Sequence, residues 1–402
     1  MHDPFEGRLA QRMKGQTSSA IRDILKVVAR PEIISFAGGL PAPELFPIDA
    51  MRAAADRVLA MDASHALQYG ATEGVAGLRE HIAAEATAAT PDAPVEPDQV
   101  LITTGSQQAL SLISTVLLDP GDPIVVEDPS YLGALQAFRL HGARYRTVTM
   151  DDHGATPDSL ATALAAGPKF AYLLPTFQNP TGRTMPLERR LAIVERLREH
   201  PTVLVEDDPY GALYFDQPPA RSLRSLLPET TLSLGTFSKT LAPGLRLGWV
   251  IGPRAWIARL AQVKQSADLH TSTLSQHVAL EVLKSGAMPT HLATLRRVYG
   301  ERSRAMLDAI EAHFPLGSTW TRPTGGMFVW VELPEGTDAA ALLPSVIEQE
   351  KVAYVPGSPF FANGGGANSM RLNFTHAPAD VVRDGVARLG KALTRALEAQ
   401  PA

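Results

Sequence analysis

Lys239, Asp207, Asn179 and Arg246 have the most chemistry to offer in this sequence, and each stands in a short polar stretch beside an apolar run. The run at 100–103 leads into Thr104-Gly105-Ser106-Gln107-Gln108, which heads an apolar helical stretch at 109–118. Glycine lets a backbone approach closely, and a helix N-terminus offers free N–H groups and a positive dipole. That combination is a phosphate seat; its plain alternative is a strand–helix turn capped by Ser106. The run at 123–127 is followed by Asp128-Pro129-Ser130-Tyr131, and the run at 170–174 by Pro175-Thr176-Phe177-Gln178-Asn179-Pro180-Thr181-Gly182. An Asn pinned by proline can aim its amide at an oxygen, or simply make a turn. The run at 202–205 leads to Glu206-Asp207-Asp208-Pro209-Tyr210, and the run at 231–234 to Gly235-Thr236-Phe237-Ser238-Lys239, with Gly244-Leu245-Arg246-Leu247-Gly248 beyond. A single lysine or aspartate in such a place is usually a solvated charge. A phosphate seat, an aromatic, an Asn, an Asp/Tyr pair, a Lys and an Arg following successive runs in order is not loop decoration.

The elements that must position these residues are legible from hydrophobic pattern. These runs, with a further one at 248–251, alternate with longer Ala/Leu/Arg-rich stretches of helical character. Runs this apolar fit strands buried on both faces of a mostly parallel, helix-covered sheet, so the fold class is α/β. Ligands in such sheets bind outside the carboxyl ends of the strands, where the polar stretches fall. The α/β pattern spans 48–290. A long helix at 289–313 then leads to 326–332, which alternates like a half-buried strand, and two more such segments follow at 352–355 and 370–374 before a last helix at 377–397. The expectation is a large domain of residues 48–290 and a smaller α+β domain built from 1–47 and 291–402. The N-terminal segment joins the smaller domain through a narrow apolar stripe of Ile21, Leu25 and Val28.

Composition narrows the function classes. The 402 residues exceed one ordinary core, and 45% apolar with 20% charged residues is an ordinary globular balance. Cysteine is absent, which removes disulfides, thiolate metal sites and thiol nucleophiles. The sequence offers no metal site. A net charge of −5 with both signs scattered gives no basic block for nucleic acid and no amphipathic basic stretch for a membrane surface. The start, Met1-His2-Asp3-Pro4-Phe5-Glu6, is not a secretory signal, and no apolar run reaches membrane-spanning length, so the expected location is cytoplasmic.

Asn179-Pro180-Thr181-Gly182, Asp207-Asp208-Pro209-Tyr210, Thr236-Phe237-Ser238-Lys239, Arg246 and the late Met370-Arg371-Leu372-Asn373-Phe374 together resemble the fold-type I, class I/II aminotransferases, which bind pyridoxal 5'-phosphate. The likeness covers essentially the whole chain. The stretches 35–47, 67–70, 265–271 and 360–366 look most like the LysN-type 2-aminoadipate and kynurenine/2-aminoadipate aminotransferases.

The resemblance implies a role for each residue. Lys239 would hold the cofactor as a Schiff base and shuttle the substrate Cα proton. Asp207, three residues before Tyr210, would keep the pyridine nitrogen protonated, with Asp208 its competitor. Asn179 and Tyr210 would hydrogen-bond the phenolic oxygen, and Tyr131 would stack on the ring. Ser106, Gln107, Thr236, Ser238 and Arg246 would hold the phosphate, joined by Tyr69 from a second subunit, which implies a homodimer with shared active sites. Thr236 stands where many relatives have Ser and keeps the hydroxyl. Arg371, assisted by Asn179, would clamp the substrate α-carboxylate. Gly39 would line the substrate pocket; Arg22, helped by Ser19, would read the distal carboxylate of glutamate or 2-aminoadipate, or else be a solvated helix face. The implied activity moves an amino group between an L-amino acid (2-aminoadipate, glutamate, or a leucine or aromatic donor) and a 2-oxo acid such as 2-oxoglutarate. A β-lyase or biosynthetic cyclase would use the same cofactor set, and a ligand-sensing regulator would use the same fold.

Overall fold

A computed structural model describes residues 6–13, 30 and 32–398. Ser19, Arg22 and the stripe of Ile21, Leu25 and Val28 lie outside the described residues.

Strand β1 (Ile34–Ser35) is short and pairs far along the chain. The main sheet has eight strands: β2 (Val100–Thr103), β3 (Pro123–Asp128), β4 (Arg144–Asp151), β5 (Gly154–Ala155), β6 (Phe170–Leu173), β7 (Val203–Asp207), β8 (Thr231–Thr236) and β9 (Gly248–Ile251), in spatial order β2-β9-β8-β7-β6-β3-β4-β5. The pairs β4/β3, β3/β6, β6/β7 and β7/β8 are parallel; β9 runs antiparallel to both neighbours, and β5 to β4.

The period-2 pleat splits each central strand between two apolar layers. Leu101, Ile124 and Val126 pack with the helices Ser106–Leu117, Leu132–Leu140 and Arg254–Ala267. Val100 and Ile102 pack with Ile48–Met61, Ala76–Ala89 and Thr273–Lys284, while Val125 and Leu204 face Pro157–Leu164 and Leu187–Glu199. Burial on both faces is why these strands read as continuous apolar runs.

β4 was not among the expected strands. Its sequence alternates charged and polar residues, and only Val148 is buried. One of its faces meets solvent, so it lacks the signal of strands covered on both faces.

The later chain builds a second sheet in the order β10-β11-β14-β13, from β10 (Thr319–Trp320), β11 (Phe328–Glu332), β13 (Val355–Pro356) and β14 (Ser369–Asn373), all antiparallel. The remaining strand, β12 (Val352–Ala353), pairs in parallel with β1, Ile34 opposite Val352. The helices Met288–His313 and Ala379–Glu398 share one core with this sheet, through Leu295, Tyr299, Met306, Val382, Val386 and Leu389 against Val329, Val331 and Leu372. Phe177, Tyr210 and Leu213, from loops at the carboxyl edge of the main sheet, enter the same core. The two sheets therefore meet where the polar stretches lie. No helix among the described residues is long and apolar enough to cross a membrane.

Candidate active site

A cleft between the carboxyl edge of the main sheet and the second sheet is lined by Gly39, Ser106, Gln107, Tyr131, Asn179, Asp207, Tyr210, Thr236, Ser238, Lys239, Arg246 and Arg371. Its volume of about 270 Å³ suits one small molecule, not a polymer. Twelve of the fifteen residues singled out in the sequence meet there. Those that follow main-sheet strands gather at one edge because the strands run parallel. Arg246 precedes β9 instead, because β9 runs the other way and begins at this edge.

Asp207 ends β7 and is buried. Its Oδ2 accepts the Tyr172 hydroxyl at 2.7 Å, while its buried Oδ1 has no partner among the described residues. Burial, opposed by the Tyr172 hydrogen bond and aided by the Asp208 charge, pushes its pKa up to about 7. Asp208 is occupied differently: its Oδ1 accepts the backbone N–H groups of Tyr210 (3.3 Å) and Gly211 (2.7 Å), closing the turn. Tyr172 escaped the sequence reading, hidden inside an apolar strand. A buried tyrosine hydroxyl needs a partner, which was the available signal.

Lys239 Nζ donates to the Gly39 carbonyl at 2.7 Å. Burial, then the positive charges of Arg371 and Arg246, lower its pKa to about 8. Arg371, on β14, is buried. It donates from Nη1 to Asn179 Oδ1 and from Nη2 to the Ala37 carbonyl, both at 2.9 Å, and its Nε has no partner among the described residues. Its guanidinium lies 4.2 Å from the Phe328 ring centre and 5.1 Å from that of Phe360. Phe328 lines the cleft too and was not expected there. Asn179 Nδ2 donates to Tyr210 Oη at 3.4 Å. Tyr131 precedes the helix Leu132–Leu140, and burial raises the pKa of its hydroxyl.

The remaining lining residues surround the N-terminus of the helix Ser106–Leu117 and Arg246. Ser106 opens its helix with a buried, unpartnered Oγ. Gly105 has φ +76°, a backbone that favours glycine, and a Cβ there would lie 2.6 Å from Arg246 Nη2 and push the guanidinium aside. Arg246 is itself left-handed, with φ 53°. The Thr236 hydroxyl is 2.9 Å from Ser238 Oγ and 3.0 Å from the Leu247 carbonyl, and accepts the Ser238 N–H at 3.1 Å. Gln107 Nε2 donates to the Gly133 carbonyl at 3.0 Å.

Tyr69 does not join the cleft of its own chain. It is 78% exposed, with its ring edge-on to His270 at 5.7 Å.

The set fits pyridoxal phosphate. An unpaired buried carboxylate oxygen suits a pyridinium N–H, a lysine with lowered pKa suits its aldehyde, and a helix N-terminus with an unpaired serine and an arginine suits its phosphate.

Similarity to known proteins agrees. The pattern of the family "Aminotransferase class I and II" matches residues 33–389. The chain is 47% identical to the 2-aminoadipate transaminase of Thermus thermophilus over 94% of each chain. It is 41% identical to aromatic-amino-acid aminotransferase 1 of Thermococcus litoralis, over 97% of this chain and 94% of that one. Among solved structures it matches LysN, the α-aminoadipate aminotransferase of T. thermophilus complexed with N-(5'-phosphopyridoxyl)-L-leucine, with a TM-score of 0.92, 44% identity and 98% and 99% coverage. Amino-group transfer thus holds over the lyase, cyclase and regulator readings. The chain belongs to the class I and II aminotransferases, as a pyridoxal 5'-phosphate-dependent enzyme acting on small molecules.

Proposed function

We propose that this aminotransferase takes 2-aminoadipate or glutamate as donor and 2-oxoglutarate as acceptor, with leucine and aromatic donors also accepted. The names of its relatives support both the acidic and the apolar donors. The observation that carries the assignment of the centre is the unpaired, buried Oδ1 of Asp207 in the same cleft as Lys239.

When bound, the cofactor supplies a conjugated, electron-withdrawing ring that makes a substrate Cα–H acidic. Asp207 Oδ1 would hold the proton at the ring nitrogen. Tyr172 fixes that carboxylate by occupying Oδ2. Asn179 Nδ2 and the Tyr210 hydroxyl would donate to the phenolic oxygen, and Tyr131 would cover the ring. Ser106, Gln107, Thr236, Ser238 and Arg246 would hold the phosphate, with the partner's Tyr69 completing the set.

Arg371 takes the substrate α-carboxylate through its guanidinium, which lies against the Phe328 and Phe360 rings. Its terminal nitrogens are held by Asn179 and Ala37. Lys239 Nζ, its pKa lowered to about 8, would be the base that accepts the substrate Cα proton. Gly39 leaves room for the substrate and gives its carbonyl to Lys239. Arg22, with Ser19, reads the distal carboxylate.

Residues 48–290 and the pair 1–47 with 291–402 are proposed as the two domains flanking the cleft. The main sheet's span, Val100–Ile251, and the β1/β12 pairing support that division. The exposed Tyr69, Leu67, Met61 and Leu269 support a homodimer. The enzyme is proposed to act in the cytoplasm.

The test is a panel of amino donors with 2-oxoglutarate, run on the wild type and on Arg22→Ala. Acidic donors should weaken selectively. Equal losses for leucine and 2-aminoadipate would remove Arg22 from specificity. Failure of glutamate to shift the cofactor absorbance would remove it as the amino donor. Sedimentation at micromolar concentration tests the dimer; a fully active monomer would exclude it.

A further inference from the structure

Beneath the cleft lies a polar cluster that the proposed chemistry does not use. Gln178 is 1% exposed, and every hydrogen-bonding position of its amide is filled. Nε2 donates to Glu127 Oε2 at 3.1 Å and to the Pro129 carbonyl at 2.9 Å. Oε1 accepts the Thr181 N–H at 2.9 Å and the Thr181 hydroxyl at 2.7 Å. A flipped amide would set carbonyl against carbonyl and N–H against N–H, so the orientation is unique.

Glu127, fully buried near the end of β3, also takes the Leu174 N–H on Oε2 at 3.1 Å, and its Oε1 has no partner among the described residues. One side chain thus ties the strand-end segment that leads to Tyr131 to the loop that carries Asn179. The strands behind them, β3 and β6, are neighbours, but their hydrogen-bonded register covers only Val125 with Ala171 and Val126 with Tyr172. Beyond that point, among the described residues, the hydrogen bonds between the two segments run through the Glu127 and Gln178 side chains.

We propose that Gln178, anchored by Glu127, is a positioning residue that holds Asn179 at the height from which its amide reaches the cofactor's phenolic oxygen. Among the described residues the Asn179 side chain hydrogen-bonds only Arg371 and Tyr210, both of which a substrate or cofactor engages. Burial pushes the Glu127 carboxyl up to about 8, so it serves as a neutral acceptor, a state a glutamine can copy. The inference rests on Asn179 donating to the phenolic oxygen.

The test reads the pH titration of bound cofactor by absorbance in the substrate-free holoenzyme. A donor to the phenolic oxygen stabilises its negative charge, so losing that donor makes the neighbouring proton harder to remove. Gln178→Met and the milder Thr181→Val should each raise the midpoint, by about half a unit or more. Thr181→Val keeps the test valid should Gln178→Met fail to fold. Glu127→Val should also raise it, while Glu127→Gln should restore the wild-type midpoint. Asn179→Ala is the reference. If it shifts the midpoint and neither Gln178→Met nor Thr181→Val does, the positioning role is wrong. If Glu127→Gln shifts as far as Glu127→Val, the anchor is not a neutral acceptor and that part is overturned. If Asn179→Ala itself leaves the midpoint unmoved, the assignment of Asn179 fails instead.

Discussion

Asp207→Asn should cripple the chemical step while leaving the fold intact. Asn has nearly the same shape as Asp, so the packing around a side chain only 2% exposed survives. It has one oxygen, however, for two claims: the Tyr172 hydroxyl, now 2.7 Å from Oδ2, and the ring nitrogen expected at the unpaired Oδ1. It also carries no charge to keep that nitrogen protonated. A hydrogen bond to a charged group contributes about 1.5–3 kcal/mol, and burial favours the upper end. At about 1.4 kcal/mol per factor of ten, the rate of the half-reaction should fall roughly 100-fold. The assay is stopped-flow absorbance of the bound cofactor under excess glutamate. The same variant makes a second statement about stability. In the cofactor-free protein the Asp207 carboxyl is raised to about 7 by burial. A raised acid favours the folded state fully below its unfolded value and loses that contribution as pH climbs from about 4 to about 7. Asn has nothing to lose, so cofactor-free Asp207→Asn should be the more heat-stable protein near pH 8, about one unit above that pKa. A half-reaction within about threefold of wild type, or identical stability curves across that window, would refute the assignment.

Arg371→Lys should lower kcat/KM by about 100-fold for every donor, because an ammonium cannot copy a planar fork that also bonds Asn179 and Ala37; near-normal kcat/KM would contradict the clamp. Gly105→Ala forces a side chain into a φ of +76° and against Arg246. Equilibrium dialysis should show pyridoxal phosphate bound about tenfold more weakly, with unchanged affinity arguing that the phosphate seat is elsewhere. Arg246→Gln removes one of the charges that lower Lys239, so the midpoint for cofactor attachment to the cofactor-free protein should move above about 8; a fall or no change would show that Arg246 does not act on the amine.

The main sheet was readable because burial on both faces leaves no choice of residue at 100–103, 123–127 or 170–174. β4 was not, because one of its faces meets solvent and its sequence so looks like a polar loop. The polar stretches stood out for the opposite reason: after a buried strand, a run of Asn, Asp, Lys or Arg is noticeable in one dimension. Tyr172 was invisible, since its ring belongs to the strand core and only its hydroxyl belongs to the site. Phe328 was likewise absorbed into a strand, although its ring forms one wall of the cleft.

By itself, the sequence determined which side chains are present, their order, and which strand end each must follow, because periodicity and turn residues act over a few neighbours. Tertiary structure decided everything that needs two distant segments to meet. It brought Arg371 to Asn179 across 192 residues and Lys239 to Gly39 across 200. It also gave Asp208 to a turn while leaving an oxygen of Asp207 free. Partner choice and desolvation depend on packing, and packing is a property of the closed cleft.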